Sequence, residues 1–466
     1  MRRGETTLDT PNKRRREIDE VDEQRLCLVV IWAPEEPERL GEVLMPDDGV
    51  VFGRGPIDDD GDEKRVGFLR QRPGKNLRAA QVENPFVSRR HLKFSVSADA
   101  LEIEVLGKKP LRIGDAEMQS ATVREGDVVE ISGLYAFYCT RRTTPLPEGA
   151  SELGPEVFGR ADAHGIVGES AAAWTLRTHV AFVGKRNAHA LITGASGTGK
   201  ELVAQAIHRL SSRAKKEIVS RNAATFPSGL IDAELFGNLQ NYPNVGMPER
   251  PGIVGQADGS TLFLDEIGEL PTEMQAHLLR VLDGGEYQRL GDPKRRFADI
   301  RLVAATNRSV EELKEDLAAR LGLRIHVPGL DERREDIALL ARHLLTRTAH
   351  NDRAFAEKFF EGSEPRISSD LVRALVTHTY ATHIRELSNL LMRSAASSRD
   401  GELDLTKEVK ALIRPVVRPS AKELGAEEIK QALLRHGGVK DKAWRELGLP
   451  SRHALHRLMK KLDIPD

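Results

Sequence analysis

The feature that most constrains this chain is a glycine-rich loop set between an apolar run, residues 190–192, and a helical stretch. The loop reads Gly194-Ala195-Ser196-Gly197-Thr198-Gly199-Lys200 and is followed by Glu201. Glycines let the backbone curl so that several N–H groups and a helix N-terminus face a phosphate, and the lysine adds a positive charge for the outer phosphates. The order strand, loop, helix therefore predicts a nucleotide-phosphate site on an α/β sheet.

A second apolar run, residues 261–264, ends in two carboxylates, Asp265 and Glu266. Parallel strands present their carboxyl ends at one edge of the sheet, where ligands bind in open α/β folds. Because Glu201 stands where such loops usually carry a magnesium-binding Ser or Thr, Asp265 is predicted to hold Mg²⁺. Glu266 is predicted to orient and deprotonate the water that attacks ATP.

A third apolar run, residues 300–304, leads through Ala305 into Thr306 and Asn307. Taken alone, these polar residues are typical of a helix cap, and a carboxylate pair after a strand is typical of a solvated turn. Their occurrence in one order along the chain favours an ATP-binding site instead. We accordingly expect ATP and Mg²⁺ as cofactors.

Length and composition limit the organisation of the chain. A chain of 466 residues is too long for one ordinary core and predicts about three domains. Hydrophobic residues make up 39%, and 70 basic residues face 71 acidic ones, so any nucleic-acid surface must come from local clustering of charge. The two cysteines and the absence of a long apolar run predict a cytoplasmic protein.

Changes in composition predict a multidomain chain with an N-terminal β-sandwich, a central α/β P-loop module with a helical lid, and a C-terminal all-α domain. The predicted segments are a disordered basic tail (1–24), the β-sandwich (25–142), a linker (143–158), the α/β part (159–330), the lid (331–400), a second linker (401–422) and the C-terminal domain (423–466).

Six motifs follow one another along the central module. They are residues 168–170 (Gly-Glu-Ser), 194–201, 234–237 (Glu-Leu-Phe-Gly), 257–267, 304–308 and 332–337 (Glu-Arg-Arg-Glu-Asp-Ile). In composition and order they resemble the AAA+ domain of the sigma-54-dependent activators, also called bacterial enhancer-binding proteins. That resemblance implies ATP hydrolysis coupled to transcription regulation and a homo-oligomer, hexameric when active.

The resemblance also implies roles for single residues. Asn222 is similar to the residue that restrains the catalytic glutamate until ATP binds, and Thr306 with Asn307 resembles the first sensor of the nucleotide state. Arg320 resembles the arginine finger supplied to the ATP of a neighbouring subunit, where it would stabilise charge on the transferred phosphoryl group. Arg385 resembles the second sensor, in the lid.

One family motif is replaced. Sigma-54 activators carry the loop Gly-Ala-Phe-Thr-Gly-Ala between the Glu-Leu-Phe-Gly element and the Asp-Glu strand, and it contacts the sigma factor. Here the same positions read Asn241-Tyr242-Pro243-Asn244-Val245-Gly246. The flexible glycines and the contacting Phe and Thr are absent.

Two functions therefore stay open. The chain is either an ATP-driven activator that remodels RNA polymerase with sigma-54 through an unusual loop, or a regulator or repressor that acts without sigma-54. A third interpretation, an AAA+ protein that remodels something other than polymerase, is disfavoured by the basic residues clustered at 440–461, which are typical of a DNA-binding segment.

The N-terminal β-rich region resembles forkhead-associated domains at Gly53-Arg54 and Ser88-Arg89-Arg90-His91. An arginine beside a hydroxyl suits the charge and acceptor oxygens of a phosphothreonine. Arg54, Ser88 and Arg89 are the predicted phosphopeptide-binding residues, and His91 is expected to fix the loop. The resemblance implies a phosphothreonine-containing protein as partner.

The C-terminal segment resembles the Fis-type helix-turn-helix. Residues 440–461 hold seven Lys or Arg and two acids, which suits contacts to DNA phosphates. A second helix over 451–462 would place its first residues at base edges of promoter or enhancer DNA. The predicted DNA-binding residues are Ser451, Arg452, His453, His456 and Arg457.

Overall fold

The computed structural model describes residues 24–57, 64–227, 229–242, 244–416, 425–447, 449, 452–462 and 464. Most of the predicted tail, part of the second linker and the predicted DNA contact Ser451 lie outside these residues. The described chain forms two compact units, one within residues 1–29 and 42–148, the other within residues 30–41 and 149–466.

The N-terminal region is built from short strands. They are β1 (Arg25–Trp32), β2 (Val43–Leu44), β3 (Val51–Phe52), β4 (Leu69–Arg72), β5 (Lys75–Arg78), β6 (Leu92–Val96), β7 (Leu101–Val105), β8 (Leu111–Ile113), β9 (Ala116–Met118), β10 (Ser120–Val123), β11 (Val128–Ile131) and β12 (Tyr135–Arg142). Within the described residues they form one sheet in the order β5-β4-β2-β1-β12-β11-β8-β9 and another in the order β10-β7-β6-β3. The predicted β-rich region is confirmed, and its forkhead-associated identity stays a prediction.

The core of this region is aromatic and aliphatic. In β6, Leu92 and Phe94 are buried while the residues between and after them are more exposed, which is the alternation of a strand with one face on a core. Phe52 of the smaller sheet packs on Phe68 with ring centroids 5.3 Å apart, and Phe68 packs on Tyr135 of the larger sheet at 5.7 Å. The two sheets therefore share one core.

The second unit contains a parallel sheet made of β13 (Ala190–Thr193), β14 (Val219–Asn222), β15 (Thr261–Asp265), β18 (Arg301–Thr306) and β19 (Leu323–His326), with a separate hairpin of β16 (Glu286–Tyr287) and β17 (Arg296–Phe297). The strand order is β14-β15-β18-β13-β19, with parallel pairing throughout. The helices are α1 (Ala171–Gly184), α2 (Lys200–Arg209), α3 (Ile231–Phe236), α4 (Ile253–Gln256), α5 (Thr272–Gly284) and α6 (Glu315–Arg320). The predicted α/β module is confirmed.

A mainly helical lid follows. It contains α7 (Ile337–Asn351), α8 (Arg353–Phe359), α9 (Ser369–Thr377), α10 (His383–Ser397), α11 (Lys407–Lys410) and a hairpin of β20 (Phe360–Glu361) and β21 (Glu364–Pro365). The hairpin adds two short strands to the predicted helical lid. The lid also extends past the predicted boundary at residue 400, because Leu403 and Val409 are fully buried and Val416 N donates to Thr377 O at 3.0 Å.

The predicted linker 143–158 is also packed in part. From Gly149 onward it belongs to the second unit. Ala150 N donates to Thr178 Oγ1 of α1 at 3.1 Å, and Phe158 is buried. This packing could not be predicted from the sequence, because the apolar residues of this Pro- and Gly-rich stretch occur singly and show no helical or strand periodicity.

The C-terminal residues form α12 (Ala426–Arg435), α13 (Lys440–Glu446) and α14 (Arg452–Lys461). Ile429, Trp444 and Leu455 are among the residues of a core that all three helices share. The predicted helical region is confirmed, and the helix-turn-helix function stays a prediction. Among the described residues, no helix is both long and apolar enough to cross a bilayer.

Candidate nucleotide-binding site

The phosphate loop connects β13 to α2 and depends on glycine. Gly197 and Gly199 have φ of 79° and 101°, in the left-handed region that side chains disfavour. A Cβ at Gly197 would also collide with Thr382 O of the lid. Thr198 Oγ1 donates to Ala195 O at 3.0 Å and so holds the loop closed.

Lys200 opens α2 and is only 6% exposed. Its ammonium donates to Gly194 O at 3.1 Å and to Ala195 O at 3.4 Å, and lies 3.5 Å from Glu266 Oε1. A buried ammonium needs such partners to compensate for lost hydration. The charge is thus fixed at the mouth of the loop, beside the predicted catalytic carboxylate.

Strand register brings the remaining predicted residues to the same edge of the sheet. Thr193 pairs with Thr306, so the end of β18 lies beside the start of the phosphate loop. Asp265 Oδ1 accepts a hydrogen bond from Glu266 N at 3.0 Å. Glu266 has a left-handed φ of 51°, and its Oε2 accepts from Asn307 N at 3.2 Å. The ends of three strands thus enclose one polar site.

Asn222 and Glu201 also lie at this edge. Asn222 pairs with Asp265 in the sheet, but its side-chain oxygen accepts from Ala224 N at 2.9 Å and caps the short helix that follows. In the described chain Glu266 is held by Lys200 and Asn307 and not by Asn222. The proposed restraint of Glu266 by Asn222 stays a prediction. Glu201 is exposed in the first turn of α2.

The lid closes over the phosphate loop at the start of α10. Ile384 N donates to Gly197 O at 3.1 Å, and a Cβ on Gly197 would lie 3.3 Å from Arg385 Cβ. The predicted second sensor, Arg385, is therefore adjacent to the loop. His383, at φ 43°, turns the backbone into the helix here.

Arg320 is placed elsewhere. It ends α6, and its Nε lies 2.6 Å from Asp283 Oδ1 of α5, with both side chains about half exposed. An exposed position is what a residue that acts on another subunit requires. The arginine-finger role stays a prediction.

Fold and site together define a P-loop ATPase module of the AAA+ class with its lid. The Sigma-54 interaction domain matches residues 166–329, and the AAA+ ATPase lid domain matches residues 331–415. The chain belongs to the family of sigma-54-dependent transcriptional regulators.

Two relatives and one solved structure illustrate the similarity. The chain is 36% identical over 328 residues to the Nif-specific regulatory protein of Azotobacter vinelandii, covering 66% of this chain and 61% of that protein. It is 38% identical over 309 residues to the transcriptional regulatory protein ZraR of Escherichia coli K12, covering 63% of this chain and 68% of that protein. The crystal structure of NtrX from Brucella abortus with ADP is 31% identical over 65% of this chain and 69% of that chain, with a TM-score of 0.47.

The segment that replaces the sigma-contact loop is described at residues 241–242 and 244–246, which lie in a turn. Asn241 N donates to Met247 O at 2.7 Å, and Gly246 N donates to Asn241 Oδ1 at 2.9 Å. Tyr242 packs its ring over Gly291, where an added Cβ would lie 2.6 Å from the ring. Val245 is 96% exposed. Tyr242 therefore packs the turn against the loop between β16 and β17, whereas Val245 points into solvent.

The predicted phosphopeptide residues meet in the first unit. Arg54 N donates to Ser88 O at 3.0 Å, and a Cβ at Gly53 would collide with Arg89 O, so the two loops are in close contact. The Arg54 Nε is buried and has no acceptor among the described residues. Ser88 Oγ accepts from Lys108 N at 3.3 Å.

His91 and Arg65 hold these loops. His91 is fully buried; its Nδ1 accepts from Ser88 N at 3.0 Å and its Nε2 lies 3.1 Å from Lys109 O, which is the fixing role expected for it. Arg65 was not predicted. It donates to Arg54 O at 3.1 Å and to Arg89 O at 2.6 Å, and a lone arginine after an acid-rich stretch gave no sequence signal for this.

The predicted DNA-binding residues that the structure describes lie on α14. Arg452 begins the helix, and His453, His456 and Arg457 follow within it. Arg452 and His456 are exposed, and Arg457 is partly buried. The basic residues thus lie along the helix predicted to enter the DNA groove.

Proposed function

We propose that this chain is an ATP-hydrolysing, DNA-bound transcription regulator controlled by a phosphorylated protein. The observation that carries the proposal is the meeting of the phosphate loop, Asp265, Glu266, Asn307 and the start of α10 at one edge of the sheet. Those are the groups that binding and cleaving a nucleoside triphosphate require.

ATP would be held by the loop amides and Lys200. Magnesium usually keeps several waters and takes only one or two protein carboxylates beside the phosphate oxygens. Among the described residues, no group of three or more His, Cys, Asp or Glu is placed so that it could hold a metal ion by itself. A single carboxylate, Asp265, at a half-buried strand end fits a magnesium held mainly by phosphate and water.

Hydrolysis would use Glu266 as base. Its carboxylate is fixed from two sides, by the Lys200 ammonium and the Asn307 amide, so it is oriented before substrate arrives. Arg320 is half exposed and outside this cluster, which supports a role in the site of a neighbouring subunit and hence an oligomer, hexameric when active.

The output has two candidates. Family membership favours remodelling of RNA polymerase with sigma-54. A regulator or repressor that bypasses sigma-54 is favoured by the turn at residues 241–246, where Tyr242 is packed on Gly291 and the contacting residues of the family are replaced. Of the two, the structure of the turn favours the second.

The N-terminal region would receive the regulatory signal, and the C-terminal region would bind the target DNA. Arg54, with its buried and unpartnered Nε beside Ser88, supports binding of a phosphothreonine. Helix α14, with Arg452, His456 and Arg457, supports binding of promoter or enhancer DNA.

The deciding experiment loads the full chain with an ADP–metal fluoride transition-state mimic and asks whether it forms a stable complex with sigma-54. Wild type that binds the mimic but not sigma-54 supports the bypass model; a trapped complex supports polymerase remodelling. Lys200→Ala is the control that should lose the mimic, and the exposed Lys185→Ala should retain it. Failure of wild type to bind the mimic at all would overturn the ATPase proposal.

A further inference from the structure

Two motifs that have no role in the site above meet in the structure. Residues 168–170 precede α1, and residues 332–337 connect β19 to the lid. Three hydrogen bonds link them across 166 or 167 positions of sequence. The connection from sheet to lid, residues 329–336, is called the hinge below.

Asp336 is the centre of this contact. Its Oδ1 accepts from Glu169 N at 2.8 Å and from Ser170 N at 3.0 Å, and its Oδ2 accepts from Ser170 Oγ at 2.5 Å. All three residues are 1% exposed. A Cβ at Gly168 would collide with the carboxylate, so only glycine allows this approach. A buried carboxylate that accepts three hydrogen bonds is a strong, directional contact.

Two arginine side chains hold the backbone of residues 166–168, just before Glu169 and Ser170. Arg177 of α1 donates to Ile166 O at 2.9 Å and to Gly168 O at 2.8 Å. Arg333 of the hinge donates to Val167 O at 3.3 Å. The segment 165–170 is therefore fixed from α1 on one side and from the hinge on the other.

This segment borders the phosphate loop. A Cβ at Gly165 would lie 3.1 Å from Leu202 Cδ1, in the first turn of α2 and two residues beyond Lys200. The hinge reaches the other flank of the loop, because Leu330 N donates to His383 Nδ1 at 3.2 Å and the next residue of α10, Ile384, bonds Gly197 O. One short hinge thus contacts both segments that flank the loop.

We propose that Asp336 and Ser170 form a latch that sets the spacing between the lid and segment 165–170, the two parts that flank the phosphate loop, and thereby the affinity for ATP. Both are positioning residues, since neither lies among the groups that handle the phosphates. The inference rests on the proposed ATP-binding function. Breaking the latch should weaken ATP binding and leave the chemical step nearly unchanged.

The test uses the full chain with Ser170→Ala, Asp336→Asn and Asp336→Ala. Asparagine keeps an acceptor for the two amides and loses only the partner of the Ser170 hydroxyl, so it should have a smaller effect than alanine. Asp331→Ala is the matched control: Asp331 is also buried in the hinge, but it pairs with Arg334, which donates to Val376 O and His378 O inside the lid.

Binding of a fluorescent ATP analogue, kcat and KM, and the thermal midpoint are measured for each. We expect Kd and KM to rise about tenfold in Asp336→Ala and about threefold in Ser170→Ala, with kcat within about twofold of wild type. Asp331→Ala should lower the thermal midpoint as much as Asp336→Ala does, while leaving the Kd for the ATP analogue unchanged.

Unchanged Kd in Ser170→Ala, a loss confined to kcat, or an equal rise of Kd in Asp331→Ala would each overturn the latch. Wild type that neither binds nor hydrolyses the analogue would instead overturn the ATPase proposal, and the latch with it.

Discussion

Two regions of this molecule are proposed to bind phosphate, and they are built differently. In the second unit the cradle is a continuous loop of backbone amides, with the buried Lys200 already bonded to two carbonyls. In the first unit the candidate site is assembled from two separate loops, with the Arg54 Nε buried and without an acceptor among the described residues. A continuous cradle can be identified from a local motif, whereas a site assembled from loops depends on tertiary contacts that hold them.

The largest expected effect separates the two sites by chemistry. Glu266→Gln removes the proposed base, which faces Lys200, so we expect kcat for ATP to fall about 10²- to 10⁴-fold, with phosphopeptide binding unchanged. Steady-state ATP hydrolysis measures kcat, and titration with a phosphothreonine peptide measures peptide binding. Glu269→Gln is the control, since that carboxylate is exposed in the same turn and pairs with Arg308. Equal activity of Glu266→Gln and wild type would contradict the assignment.

The next effect concerns the first unit. Arg54→Ala should weaken binding of a phosphothreonine peptide about 10- to 100-fold, because a charge-assisted hydrogen bond is lost, and leave ATP hydrolysis unchanged. Arg54→Lys keeps the charge without the Nε donor and should recover binding only in part. Arg124→Ala, an exposed cation of the same unit, serves as control in fluorescence anisotropy. If Arg54→Ala still bound the phosphothreonine peptide as wild type does, the proposal of a phosphate site at Arg54 would be wrong.

A smaller effect tests whether the first site depends on how its loops are held. Arg65 bridges the carbonyls of Arg54 and Arg89, so Arg65→Ala should raise the peptide Kd about three- to tenfold through loss of loop positioning. Anisotropy with the same peptide measures it. If Arg65→Ala matched Arg54→Ala in full, Arg65 would be a direct phosphate contact and not a support.

The smallest effect is one of pH. Burial lowers the pKa of His91, although its contact with Lys109 O opposes the shift. The neutral ring accepts Ser88 N, so this contribution to stability is complete above the ordinary pKa of about 6.5 and is lost as pH falls through the lowered value. The hydrogen-exchange protection factor of the Ser88 amide should fall in that range. A protection factor that stays constant as the pH falls below the lowered pKa of His91 would contradict this prediction.

Much of the fold could be predicted because long apolar runs have a clear meaning. The apolar runs at residues 190–192 and 261–264 lie within β13 and β15, and the run at residues 300–304 overlaps β18. The hairpin at residues 360–365 and the four-residue α11 were missed, since elements this short have no measurable period. The boundary at residue 400 was misplaced because Leu403 and Val409 stand among polar residues, and only packing on the lid buries them.

The candidate site divides in the same way. The phosphate loop, Asp265, Glu266, Thr306 and Asn307 each follow an apolar run, and parallel strands must bring such ends to one edge. Asn222 lies at that edge too, but its bond to Ala224 N is decided by the local turn and not by the family role. Arg65 carries no motif at all.

The sequence by itself determined the cradle, the strand ends and the order of the regions, because each depends on neighbours within a few residues. Tertiary structure decided the contact of Asp336 with Ser170, of Arg65 with two loops and of Tyr242 with Gly291. These contacts join atoms far apart along the chain, and their strength comes from burial and complementary geometry, which no local pattern of residues records.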